Sequence, residues 1–96
     1  MSVLELLKSK RGDILRIAAQ HGARNVRLFG SVVRGEDDER SDVDFLVEMD
    51  RQTSLMDQAA LLVDLETLIG RKVDVASEDC LRPKIKERVL REAVAL

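Results

Sequence analysis

Apolar residues recur along this chain at two periods, and the switches between them mark its elements. Val3, Leu6 and Leu7, then Ile14, Ile17 and Ala18, fall at helical spacing, which predicts a helical start interrupted or kinked at Gly12-Asp13 and ended at Gly22. Val26-Arg27-Leu28-Phe29 alternates and is rich in strand formers, Gly30-Ser31 breaks it, and Val32-Val33-Arg34 opens a short helix. Gly35 to Ser41 holds no large apolar residue and reads as an exposed loop, before a strand from Val43 to Met49 with Phe45-Leu46-Val47 at its centre. A broad apolar stripe runs from Leu55 to Ile69, closed by Gly70 as a C-cap, and Lys72-Val73-Asp74-Val75-Ala76 forms a third strand. Pro83 suits the first turn of a last helix with Ile85, Val89, Ala93 and Leu96 on one side. The pattern predicts an α/β (α+β) chain: a small mixed β-sheet flanked by helices, in a single domain spanning residues 1–96.

Composition narrows what such a domain does. At 96 residues and 45% hydrophobic it lies near the lower end of what buries a useful core, with no apolar run long enough for a membrane span. The start Met1-Ser2-Val3-Leu4-Glu5 lacks the basic and apolar regions of a secretion signal, so the expected location is cytoplasmic. A single cysteine, Cys80, and a single histidine, His21, argue against both a disulfide and a zinc site built by this chain. Any metal must then be held by carboxylates. Eighteen acidic against sixteen basic residues give a net charge of −2, and two phenylalanines with no Trp or Tyr leave few stacking platforms. Direct nucleic-acid binding is disfavoured on both counts.

The candidate chemistry lies in the middle third. Residues two apart on a strand share a face, so Asp42 and Asp44 present two carboxylates together while Val43 and Phe45 point into packing. A hard divalent cation such as Mg²⁺ balances such a pair, binding through one or two carboxylates and completing its shell with water and substrate phosphate. Spacing alone is weak evidence here, because Glu36/Asp38, Asp37/Glu39, Glu48/Asp50 and Asp64/Glu66 repeat it. Context separates the first pair: it begins an apolar strand beside a glycine-serine turn. Gly30 lets the backbone approach a ligand closely, and Ser31 offers a hydroxyl and free N–H groups to phosphate, or else the two are simply a tight turn and a helix cap. Asp74, flanked by Val73 and Val75, is either an exposed edge residue or a third ligand. Three carboxylates on two strands can hold two Mg²⁺ ions for an in-line displacement at phosphorus.

Leu28-Phe29-Gly30-Ser31-Val32-Val33-Arg34-Gly35, Ser41-Asp42-Val43-Asp44-Phe45-Leu46-Val47 and Lys72-Val73-Asp74-Val75 together resemble the minimal nucleotidyltransferase family of the polymerase-beta-like superfamily, over residues 26 to 76. Within it the chain is similar to the MntA-type antitoxins encoded beside HEPN-domain toxins, and Arg88-Val89-Leu90-Arg91-Glu92-Ala93 agrees with that group. The resemblance implies ATP and Mg²⁺, with transfer of AMP to a tyrosine hydroxyl of the toxin, which neutralises it. Carried over residue by residue, it implies that Gly30 and Ser31 hold the β- and γ-phosphates. Asp42 and Asp44 ligate both metals, and Asp74 completes the site where the acceptor hydroxyl is deprotonated. Arg34 is a phosphate partner or a solvated helix residue.

Other residues take plainer readings. Lys84, Arg88 and Arg91 form a row on the last helix that meets phosphates, an acidic partner or only solvent. His21 fits a helix C-terminus, Cys80 a small packed or loop position, and Glu36-Asp37-Asp38-Glu39 an exposed acidic loop. Aliphatic surface on the two long helices leaves a dimer or a toxin contact open. Two alternatives stand beside transfer to a toxin: an antitoxin that masks its partner by binding, and nucleotidyl transfer to a small molecule or tRNA with a second subunit.

Overall fold

A computed structural model describes residues 2–96. The helical start is two helices, α1 (Val3–Ser9) and α2 (Arg11–Gln20). They break at Lys10, not at Gly12-Asp13: Gly12 lies inside α2 in open space, and Asp13 adds an acid to its first turn. Ser2 caps α1 by accepting from Glu5 N–H at 3.1 Å. Strand β1 (Ala23–Phe29) begins earlier than its alternation predicts. The cause is a bulge between Arg24 and Arg27, with Asn25 at φ 50, which puts two consecutive residues out of pleat and hides the first part of the strand from a period-two reading.

Beyond the turn, α3 (Ser31–Arg34) is one turn long, β2 runs Val43–Met49, α4 Leu55–Ile69 and β3 Val73–Ser77. Helix α4 starts on a capping box, with Ser54 and Asp57 exchanging hydrogen bonds, and stops at Gly70, whose φ of 77 is the left-handed conformation a glycine C-cap supplies. After a short 3₁₀ turn at Glu78–Cys80, α5 occupies Pro83–Glu92. The last helix therefore does not continue to Leu96. Ala93 leaves the helix and Val94–Ala95 forms a two-residue strand β4 against Arg27 and Leu28, while Leu96 N–H donates to Val26 O at 3.1 Å. Ile85, on the apolar side of the helix with Val89, is 42% exposed.

The sheet order is β3-β2-β1-β4, with β2 parallel to β3 and antiparallel to β1, so the sheet is mixed as expected. One face carries the core: Val26, Leu28, Val43, Phe45, Val47, Val73 and Val75 meet Leu7, Ile14, Ala18, Leu61, Leu65 and Ile69 from the helices. Leu46 alternates with Phe45, so it faces the other way. It and Val89 of α5 are buried outside that main cluster. Among the described residues no helix is long and apolar enough to cross a membrane.

Candidate active site

Three sequence-predicted acids arrive on the sheet face opposite the core. Asp44 pairs with Asp74 in the parallel register of β2 and β3, and Asp42 precedes β2 by one residue, two positions before Asp44. Paired residues on neighbouring strands sit about 5 Å apart and share a face, so the Asp44 and Asp74 side chains project side by side. The alternation holds: Val43 and Phe45 are fully buried, while Asp44 is half-buried and Asp42 and Asp74 are exposed.

On the other flank of β2, Phe29 pairs with Asp44, and the next residue, Gly30, turns the chain into α3. Gly30 has φ 81, and a Cβ there would fall inside the contact distance of Asp44 Oδ2, so glycine is required both for the turn and for the carboxylate's position. Gly30, not Ser31, is the helix cap; Ser31 is the first helical residue and its hydroxyl has no hydrogen-bond partner among the described residues. The sequence thus brings Gly30, Ser31, Asp42, Asp44 and Asp74 to one end of three neighbouring elements.

Most of the other acidic pairs have partners in the fold, and Asp37 and Glu39, which have none, lie in the charged loop. Glu48 and Asp50 both pair with Arg24, Asp64 lies 2.6 Å from His21 Nε2, and Glu66 accepts from Val73 N–H at 3.0 Å. Asp38 accepts from Arg40 N–H at 2.8 Å, and Glu36 holds Arg34 at 2.9 Å. The side chains of Asp42, Asp44 and Asp74 make no hydrogen bond or ion pair among the described residues. Burial, then the charges of Asp74 and Asp42, push the Asp44 carboxyl up to about 6, with Arg34 pulling it down. A carboxylate crowded by two others and served by no protein donor is a site short of positive charge. The donor set is all oxygen and suits Mg²⁺. Among the described residues no three or more acidic, histidine or cysteine side chains are grouped so as to hold a metal ion.

Arg34 is neither free nor simply solvated. Its guanidinium lies 2.9 Å from Glu36 Oε2 and 2.6 Å from Glu92 Oε1, and Glu92 Oε2 also accepts from Gly30 N–H at 2.9 Å. Glu92 is the residue that sequence reasoning missed. Its signal was an acid in the last turn of a helix, the end where the backbone dipole disfavours negative charge. His21 caps the C-terminus of α2, as its position beside Gly22 implied. Cys80 is exposed in the 3₁₀ turn, and Lys84, Arg88 and Arg91 are exposed on α5.

Comparison with known proteins bears on this arrangement. The nucleotidyltransferase domain model matches residues 11–96. The chain is 44% identical over 73 residues to protein adenylyltransferase MntA of Thermococcus cleftensis, covering 76% of this chain and 74% of that protein. It is 41% identical over 81 residues to a candidate protein adenylyltransferase of Methanocaldococcus jannaschii, covering 84% and 87%. A solved chain described as a candidate minimal nucleotidyltransferase superposes with a TM-score of 0.89 at 47% identity, covering 100% of this chain and 97% of the other. A toxin–antitoxin crystallised with AMP-PNP shares the fold at a TM-score of 0.75 and 17% identity, over 88% of this chain and 69% of that one. With matched residues that span β1, the Gly30-Ser31 turn and all three acids, the chain belongs to the nucleotidyltransferase domain family, as one of its minimal members.

Proposed function

We propose that this nucleotidyltransferase moves AMP from ATP to a tyrosine hydroxyl of a HEPN-domain toxin in the cytoplasm and so neutralises it, with residues 1–96 acting as one domain. The observation that carries the reading is the register of Asp44 against Asp74 beside Gly30, three groups on three elements with no protein partner for the acids. The name borne by the Thermococcus relative supports a protein as acceptor.

In this reading Gly30 N–H, the Ser31 hydroxyl and Arg34 grip the β- and γ-phosphates through charge-assisted hydrogen bonds. Asp42, Asp44 and Asp74 hold Mg²⁺, which when bound offsets the charge that develops around the α-phosphorus. The acceptor oxygen forms a bond to the α-phosphorus as the bond to the bridging oxygen breaks. Pyrophosphate leaves with that electron pair, and the hydroxyl proton departs on the side of Asp74. Asp42 and Asp74 are exposed, so a hydroxyl on a macromolecular surface can reach them.

The test combines the purified chain, a HEPN-domain partner, ATP and Mg²⁺, read by intact-mass spectrometry. The partner is expected to gain AMP with the wild-type chain and none with Asp42→Asn/Asp44→Asn. If the two proteins bind and the partner's mass never changes, transfer gives way to masking by binding.

A further inference from the structure

The donors assigned to the triphosphate are already held by an anion of the chain's own. Glu92 ends α5, and its two carboxylate oxygens divide between Gly30 N–H at 2.9 Å and Arg34 Nη1 at 2.6 Å. Its side chain is 18% exposed. Burial works against its charge, but the hydrogen bonds from Arg34 and Gly30 outweigh it and hold the carboxyl below the usual glutamate range. Arg34 is also taken on its other side by Glu36, so a single guanidinium serves two carboxylates and the cluster is left with excess negative charge. Two further facts make this contact unusual. An acid in the last turn of a helix is opposed by the helix dipole; Arg88 one turn earlier on α5 offsets this in part, and the hydrogen bonds from Arg34 and Gly30 do more to hold the charge. It also lies near enough to Asp44 to raise that group's proton affinity, adding negative charge to a site already short of positive charge.

A carboxylate and a phosphate ask for the same donors. One N–H hydrogen cannot serve both at full strength, and the two anions repel when adjacent. We propose that Glu92 is a built-in competitor for the nucleotide: a carboxylate latch on Gly30 and Arg34 that an incoming triphosphate displaces, loosening the C-terminal strand as it does so. The inference rests on the nucleotide reading above and adds a residue that sets affinity. The mechanical link is short. Two residues beyond Glu92, Val94 and Ala95 pair with Leu28 and Arg27, and Leu96 N–H bonds Val26 O. Both β4 residues are exposed; besides those bonds and the anchor at Glu92, the end of the chain is held by Leu96, which packs against the core and accepts from Arg11 Nε.

The binding-competent form is the unlatched one, so apparent affinity is lowered by the fraction of molecules still latched. Glu92→Gln keeps the shape and an acceptor for Gly30 but removes the charge. It is expected to bind Mg²⁺·ATP, and inorganic triphosphate as a simpler probe, roughly fivefold more tightly than wild type by calorimetry. A merely structural role for Glu92 predicts the reverse, weaker binding. The second measurement uses the wild-type chain alone, so it stands even if the variant fails to fold: hydrogen exchange at the Leu96 amide should speed up when Mg²⁺·ATP is added. Equal or weaker binding by a folded Glu92→Gln, or unchanged or slower exchange at Leu96 in the nucleotide-bound wild type, overturns the latch while leaving the nucleotide reading intact. If neither wild type nor variant binds Mg²⁺·ATP or triphosphate, the nucleotide reading fails and the latch falls with it.

Discussion

Asp44 is the residue whose own stability and whose use in a site pull in opposite directions. Its carboxyl is raised from 3.8 to about 6, first by burial and then by Asp74 and Asp42. A group whose folded value lies above its unfolded one favours the protonated fold. Its contribution is fully present below pH 3.8 and is lost as the pH rises through about 6. In metal-free protein Asp44→Asn should therefore be more stable than wild type at pH 7. Asp44 is part-exposed, so water screens the effect and the gain is on the order of 1 kcal/mol. The advantage should shrink through pH 6 and be gone near pH 3.8, as read by urea unfolding in EDTA at each pH. A variant that is no more stable at pH 7 would show that Asp44 is not crowded. Sequence spacing alone could not isolate this residue, because four other acidic pairs share it. What distinguishes Asp44 is burial beside two other acids with no side-chain partner, whereas Glu48, Asp50, Asp64 and Glu66 each have a partner and Asp37 and Glu39 lie in the charged loop. Partners distant along the chain leave no local trace, and Glu92, 62 positions from Gly30, was hidden for the same reason.

At the scale of elements, those whose burial is periodic and long were readable. Strand β2 and helix α4 have their expected bounds, since five apolar residues in seven and a stripe closed by Gly70 leave little choice. The failures are short or irregular pieces. Strand β4 has two residues and exists only because β1 offers it an open edge, so nothing in Val94-Ala95 itself announces a strand. Helix α4 also bridges the parallel pair β2 and β3, which makes its first turn a lever on the whole sheet. Ser54 accepts from Asp57 N–H, and Asp57 Oδ2 accepts from Ser54 N–H at 2.7 Å. Ser54→Ala removes one side of that exchange and should cost about 1 kcal/mol. In a domain of this size that lowers the thermal midpoint by about 4–8 °C. Ser54 lies outside the Gly30 and aspartate group, so Mg²⁺·ATP affinity should not move. An unchanged midpoint in differential scanning calorimetry would mean the cap is not formed in solution.

The molecule as a whole supplies the one thing none of its elements has. Gly30 belongs to the β1–α3 turn, Asp42 and Asp44 to the start of β2, and Asp74 to β3, so the site exists only when antiparallel and parallel pairings form together around α4. Nucleotide that binds there is bound by the native state alone, and its binding free energy becomes folding free energy. At a ligand concentration about a hundred times the dissociation constant the gain is about 2.7 kcal/mol. Given about 4–8 °C per kcal/mol for a small domain, the midpoint should rise by at least about 10 °C. Charge decides which form of the nucleotide can do this. The chain is net −2, and the three acids and Glu92 all face the position assigned to a polyanion. ATP in EDTA must add its charge to theirs, whereas ATP with Mg²⁺ brings the cation those acids lack. Thermal shift is therefore expected to be large with Mg²⁺·ATP, small with ATP in EDTA, and small for Asp42→Asn/Asp44→Asn under either condition. An equal shift with and without Mg²⁺ would mean that the triphosphate is held by Gly30, Ser31 and Arg34 without help from the carboxylates. The register of Asp44 against Asp74 would then be a feature of the sheet and not of the chemistry.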